Sequence, residues 1–196
     1  MRPSNGLLFF LCFLFLLPAC GGKTEGIRTF LWPESEGAYY KALREWTRRD
    51  VLYLGMEEQV SVVATLKSRA WRTAYIKEKA SVYHWSREKE QSFSRTMFSN
   101  LKKNTEFTLA IHGSENDFNR LKFNRSLWNI FVLTADNNRV YPLEIRELEN
   151  PVTEHAHFFP YINRWNKVYN LRFPKVNEES LSLIIAGPAG KFKLIW

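Results

Sequence analysis

Polar positions almost vanish near the start of this chain: Leu7 to Leu17 is an apolar run between Arg2 and Pro18. The run is shorter than the ~20 residues a bilayer-spanning helix needs. Beyond it the pattern is mixed and changes period several times. Tyr39, Tyr40, Leu43 and Trp46 recur at helical spacing, with Lys41, Arg44, Arg48 and Arg49 mostly on other faces. Pro33, Glu34 and Glu36 suit a first turn, so the spacing predicts an amphipathic helix from Glu34 to about Arg49. From Gln59 to Leu66 the period drops to two, with Val60, Val62, Ala64 and Leu66 in one phase, and a strand is expected. The stretch 68–104 contains neither Gly nor Pro. Ala70, Trp71, Ala74 and Tyr75 start an apolar stripe there, and Tyr83, Phe93, Met97, Phe98 and Leu101 extend it. Ser86 to Glu90 interrupts the pattern, so two helices are predicted, at 69–84 and 87–102.

After Asn104 the alternation is that of strands. Phe107, Leu109 and Ile111 mark one strand, and residues 113–119 read as loop. Leu127 to Thr134 is a second strand, joined through the turn residues 135–139 to a hairpin partner, Val140 to Arg146. Thr153 to Phe159 is a further candidate strand, followed by an aromatic loop from Pro160 to Trp165. Lys167–Phe173 alternates, and Leu181–Ala186 with Lys191–Trp196 makes a closing hairpin across Gly187 to Gly190. Strands at this spacing predict an α+β fold: an antiparallel, immunoglobulin-like β-sandwich. An N-terminal helix and a helical insertion at about 69–102 would pack on it. The expected division is 1–19 as a leader, 20–31 as a short tether and 32–196 as one domain. Hydrophobic content of 45%, charged content of 24% and aromatic content of 15% are those of a packed, β-rich body, and exclude a disordered chain.

The end of the apolar run carries the most specific chemistry. Leu17-Pro18-Ala19-Cys20 is followed by Gly21 and Gly22, and Arg2 supplies the positive start. These residues resemble a bacterial lipoprotein signal peptide ending in a lipobox. The resemblance implies cleavage before Cys20 and a diacylglycerol on its thiol, which makes Cys20 the lipidation site and the membrane a partner through that covalent lipid. Pro18 departs from the small or β-branched residues usual at its position. An ordinary secretory signal cut after Ala19, or an uncleaved anchor, is the alternative. Gly21, where inner-membrane lipoproteins often carry Asp, points to the outer membrane and a periplasmic face. The C-terminal half is similar to sandwich domains of bacterial lipoproteins, with no motif that names a family.

Export changes what the remaining composition means. Of two cysteines, Cys12 leaves with the leader and Cys20 is blocked, so the mature body would have no disulfide and no thiol nucleophile. The net charge of +8, one less without Arg2, would ordinarily suggest nucleic acid, which an exported protein does not meet. Anionic lipid or lipopolysaccharide, or an envelope protein, are the expected partner classes. The basic residues are dispersed among acidic ones, so a solvated basic surface is the simpler reading.

Catalytic patterns are sparse. On a strand, His155 and His157 would face the same way, with Glu154 nearby, giving a candidate metal pair for an envelope hydrolase. Two half-exposed strand histidines are the plainer alternative, and no metal or other cofactor is expected. His112-Gly113-Ser114 is the nearest approach to an activated serine, at a strand end where such residues serve turns. Phe158, Phe159, Tyr161 and Trp165 form the densest aromatic patch. They are candidates for stacking on sugars or lipid, against the commoner role of plugging one end of a core. The leading expectation is a non-enzymatic binding or assembly component.

Overall fold

The phase that holds Val60, Val62, Ala64 and Leu66 in one strand and Phe107, Leu109 and Ile111 in another points into a single buried core. The computed structural model describes residues 37–54, 57–113, 128–177, 180–187 and 190–196. It shows a mixed α+β architecture of two antiparallel sheets and, among the described residues, four helices. In chain order these are α1 (Ala38–Glu45), β1 (Thr47–Leu54), β2 (Glu57–Leu66), α2 (Arg69–Val82), α3 (Arg87–Lys103) and β3 (Asn104–Gly113). There follow β4 (Asn129–Thr134), β5 (Arg139–Val140), β6 (Glu144–Glu147), α4 (Pro151–His155), β7 (Lys167–Pro174), β8 (Leu181–Gly187) and β9 (Gly190–Ile195).

The larger sheet has five strands in the order β1-β2-β3-β7-β6, the smaller four in the order β5-β4-β8-β9. Both contribute to one core: Val62, Leu109 and Leu171 from the first meet the same cluster as Val132, Leu183 and Phe192 from the second. Gly187 stands against the Trp128 indole, where an added Cβ would collide with the ring. No helix among the described residues is long and apolar enough to cross a membrane.

The two central helices follow the sequence signals. The Ser68 hydroxyl accepts from the Trp71 amide at 3.2 Å and the Ser86 hydroxyl from the Lys89 amide at 3.3 Å, so each helix is capped by the serine that precedes it. Glu88 and Glu90 complement the start of α3, and Lys102 and Lys103 its end. Between the helices, His84 takes a left-handed conformation with φ of 49°. That residue lets the chain reverse, and α1 also packs on α2.

Three expectations need correction. The first helix does not continue to Arg49: it ends at Glu45, and Thr47 opens β1. Non-local bonds stop it. The Trp46 carbonyl accepts from the Leu66 amide and from the Trp196 indole, each at 2.9 Å, and the Thr47 and Thr65 hydroxyls bond at 2.7 Å. The predicted start of that helix, 34–36, lies outside the described residues.

Second, Val140 to Arg146 is not a simple hairpin partner of β4. Arg139 and Val140 pair with Leu133 and Val132, but Glu144–Glu147 pairs with β7 in the other sheet. Pro142 has no N–H to continue the ladder. The Leu143 amide already donates to the Arg172 carbonyl at 2.7 Å.

Third, Thr153 to Phe159 is not a strand but α4 and a following turn. Asn150 is left-handed and Pro151 occupies the first turn. Phe158 and Phe159 are both buried, and adjacent residues of a one-faced strand cannot both point inward.

Candidate functional site

The second phase of the large sheet builds the site. Glu106 and Thr108 alternate with Phe107 and Leu109 in β3, and Asn170 alternates with Tyr169 and Leu171 in β7, so these polar side chains leave the core on the opposite face. That face is not left to water: Thr65 and Thr108 are buried. The helices cover it with a second apolar layer that includes Tyr39, Trp71, Tyr75, Phe158, Phe159 and Tyr161. Within the layer Trp71 stacks on Tyr75 at 4.6 Å and on Phe159 at 5.8 Å between ring centroids. The Tyr161 hydroxyl bonds that of Thr65 at 2.9 Å, and Tyr39 donates to the Phe158 carbonyl.

Between the polar floor and this aromatic roof lies a cavity of about 130 Å³. Lys67, Glu106, Thr108 and Asn170 form its floor; Trp71, Tyr75, Phe93, Met97 and Phe159 its roof; Leu148 and His155 complete the wall. Lys67 enters because β2 ends one residue before it and Ser68 turns the chain into α2. Its Nζ donates to Asn170 Oδ1 at 2.9 Å, and the Thr108 hydroxyl donates to the same oxygen at 3.3 Å. Beside it the Arg72 guanidinium, fully buried, meets the Glu106 carboxylate at 2.7 Å. Arg72 also donates to the Lys67 carbonyl at 2.8 Å and the Met97 carbonyl at 3.2 Å, tying β2, α3 and β3 together.

Burial pushes the Lys67 ammonium down from 10.5 to about 8; Glu106 opposes the shift, while Arg72, Arg146 and Lys79 add to it. His155 is lowered by burial, against Glu154 and with the positive Lys67, Lys79 and Arg146, which favours its neutral form. Lys79 is lowered too, by burial first and against Glu154; its ammonium lies 5.4 Å from the Tyr75 and Phe93 ring centroids and 5.7 Å from that of Phe158.

These shifts fix a pH profile for stability. Because the folded chain holds the Lys67 proton less tightly than the unfolded chain, stability should rise from about pH 8 towards 10. Above pH 10 the sign reverses. Burial raises Tyr39, Tyr75 and Tyr161 from 10.0, Tyr75 to about 12, so the unfolded chain loses protons that the folded chain keeps. Urea unfolding across this range should show a maximum near pH 10, and Lys67→Met should reduce the rise to the part that Lys79 contributes while keeping the fall. A flat profile between pH 8 and 10 in the parent chain would contradict the assignment.

The structure separates the residues singled out in the sequence. His155 lines the cavity, 24% exposed at its rim. His157 turns elsewhere, with Nε2 3.4 Å from Glu78 Oε1 and its ring against Tyr40. Among the described residues no three His, Cys, Asp or Glu side chains gather to hold a metal. Phe158, Phe159 and Tyr161 are buried in the layer under the helices, and Trp165 is 63% exposed with the Arg164 guanidinium 4.6 Å from its ring. His112 closes β3 opposite Ser61, while Ser114 and Cys20 lie outside the described residues. A wider depression of about 630 Å³ is open to solvent, and its charged lining, Glu147, Glu149, Arg164 and Lys167, is exposed.

Lys67, Glu106 and Asn170 were not evident beforehand. The available signal was the polar phase of β3 and β7, where Glu106 and Thr108 alternate with Phe107 and Leu109.

No family model and no curated protein matches the chain. A solved structure from Burkholderia pseudomallei, described as a novel protein of unknown function, covers 81% of this chain and 81% of its own at 13% identity and a TM-score of 0.43.

Proposed function

We propose that the chain is a lipid-anchored, non-enzymatic binding component of a bacterial cell envelope, held at the periplasmic face of the outer membrane through Cys20. Its two sheets are read as an immunoglobulin-like sandwich, with the helices covering the outer face of the larger one. The observation that carries this reading is the run Leu17-Pro18-Ala19-Cys20 behind an apolar stretch too short to span a bilayer. The cavity over the sheet supports binding as the domain's role. Its polar groups are held in fixed hydrogen bonds beneath an apolar roof, the usual composition of a small-ligand site.

The anchor is tested by expressing the full chain and its Cys20→Ala variant in a Gram-negative host fed an alkyne fatty acid. The parent chain should label and sediment with membranes; the variant should lose the label and move to the soluble fraction after export. A variant that still labels would overturn the assignment of Cys20, and an unlabelled parent chain would overturn the anchor itself.

A further inference from the structure

The cavity over the large sheet has a polarity that selects its occupant. Asn170 Oδ1 already accepts from Lys67 and Thr108, which orients the amide so that its nitrogen remains a donor. Glu106 pairs with Arg72 through Oε2, which neutralises its charge. Lys67 gives one of its three protons to Asn170, and His155 at the rim carries a ring N–H in either tautomer, its Nε2 lying 3.6 Å from Glu154 Oε2. What Lys67, Asn170 and His155 offer an entering molecule is a set of donors, and the one carboxylate among the lining residues is neutralised by Arg72.

The charge balance has the same sign. Arg72 and Glu106 offset each other, which leaves Lys67 with Lys79 and Arg146 against Glu154. An anion is favoured. Its size is set by the volume of about 130 Å³, close to the ~150 Å³ that accepts a benzene-sized molecule. Its shape is set by the roof: Trp71, Tyr75, Phe93 and Phe159 present ring surfaces that favour an apolar end.

We propose that this cavity binds a small monocarboxylate of acetate to pyruvate size, its carboxylate held by Lys67, Asn170 and His155 and its carbon end against the aromatic roof. A planar carboxylate has two acceptor oxygens for these donors, and the ammonium supplies the charge-assisted bond. A phosphate would bring a second charge and oxygens on every side, which the ring-lined roof leaves undonated. The inference concerns the domain alone and stands whether or not Cys20 is acylated.

The test is calorimetric titration of the purified full chain in detergent with acetate, propionate, pyruvate and inorganic phosphate, at pH 7. At least one carboxylate should bind saturably at one site per chain, and phosphate should not displace it. Lys67→Met and Asn170→Asp should each weaken binding about tenfold or more, the first by removing the ammonium and the second by setting a like charge against the ligand. Circular dichroism on each variant confirms folding, and the isosteric Asn170→Asp keeps the test decisive should Lys67→Met fail to fold. Affinity should fall above about pH 8 as Lys67 deprotonates; Arg72, Glu106, Lys79 and Arg146 act on it, and Tyr75 and His155, the latter beside Glu154, are the other titratable groups of the cavity. No saturable carboxylate binding by the folded parent chain, binding that both folded variants retain, or tighter binding of phosphate would each overturn the proposal.

Discussion

Replacing Arg72 with alanine is expected to destabilise the fold by about 3–5 kcal/mol, the usual cost of removing one partner of a buried ion pair. The side chain is fully buried and its guanidinium is shared among Glu106, the Lys67 carbonyl and the Met97 carbonyl. Truncation leaves the Glu106 carboxylate, only 20% exposed, without its counter-charge. It also cuts a side chain that joins the end of β2 to both α3 and β3. Arg72→Lys should recover only part of the loss, because a single ammonium cannot reproduce a planar fork with several donors. Glu106→Gln should cost less than Arg72→Ala, since the amide oxygen still accepts. Urea unfolding of the three variants measures this order. A loss below about 1 kcal/mol for Arg72→Ala, the range of exposed pairs, would contradict the account of how the helical cover is fastened.

The second large effect is expected at Trp71. Its indole is 1% exposed and stacks between Tyr75 and Phe159, which come from α2 and from the turn after α4. Trp71→Ala removes the largest side chain of the layer between helices and sheet and should cost about 3–5 kcal/mol. The void would open directly into the neighbouring cavity, so the lost contacts are not recovered by a small collapse. Trp71→Phe should cost less, as a ring still fills the slot. The same denaturation experiment checks both, and an alanine variant within about 1 kcal/mol of the parent chain would show that the layer repacks freely.

Most of the architecture was legible wherever local pattern and final environment agreed. The two helices begin and end close to where the pattern and the break at Ser86 to Glu90 put them, and the alternation at Val60 to Leu66 and Phe107 to Ile111 is the alternation of the core. The failures have a common cause in partners distant in sequence. Thr47-Arg48-Arg49-Asp50 has no apolar phase of its own, and it becomes a strand because Val62 to Thr65 lies beside it. Glu144 to Glu147 belongs to the larger sheet through β7, a partner that no turn signal identifies. His155 looked like half of a strand-borne pair, yet Asn150 and Pro151 start a helix that sends it to the cavity and His157 to Glu78. The site stayed hidden for the same reason. Lys67, Glu106 and Asn170 are ordinary polar residues in the sequence, and only the β2–β3–β7 pairing and the folding back of α2 bring them under one roof.

The central claim, a lipid-anchored domain of the cell envelope, is tested most directly by the mass of the mature N-terminus. Full chain extracted from the membranes of a Gram-negative host should yield an N-terminal peptide that begins at Cys20 and carries a diacylglycerol, with residues 1–19 gone. An N-terminal peptide that still contains Met1, or one that begins at an unmodified Cys20, would contradict it.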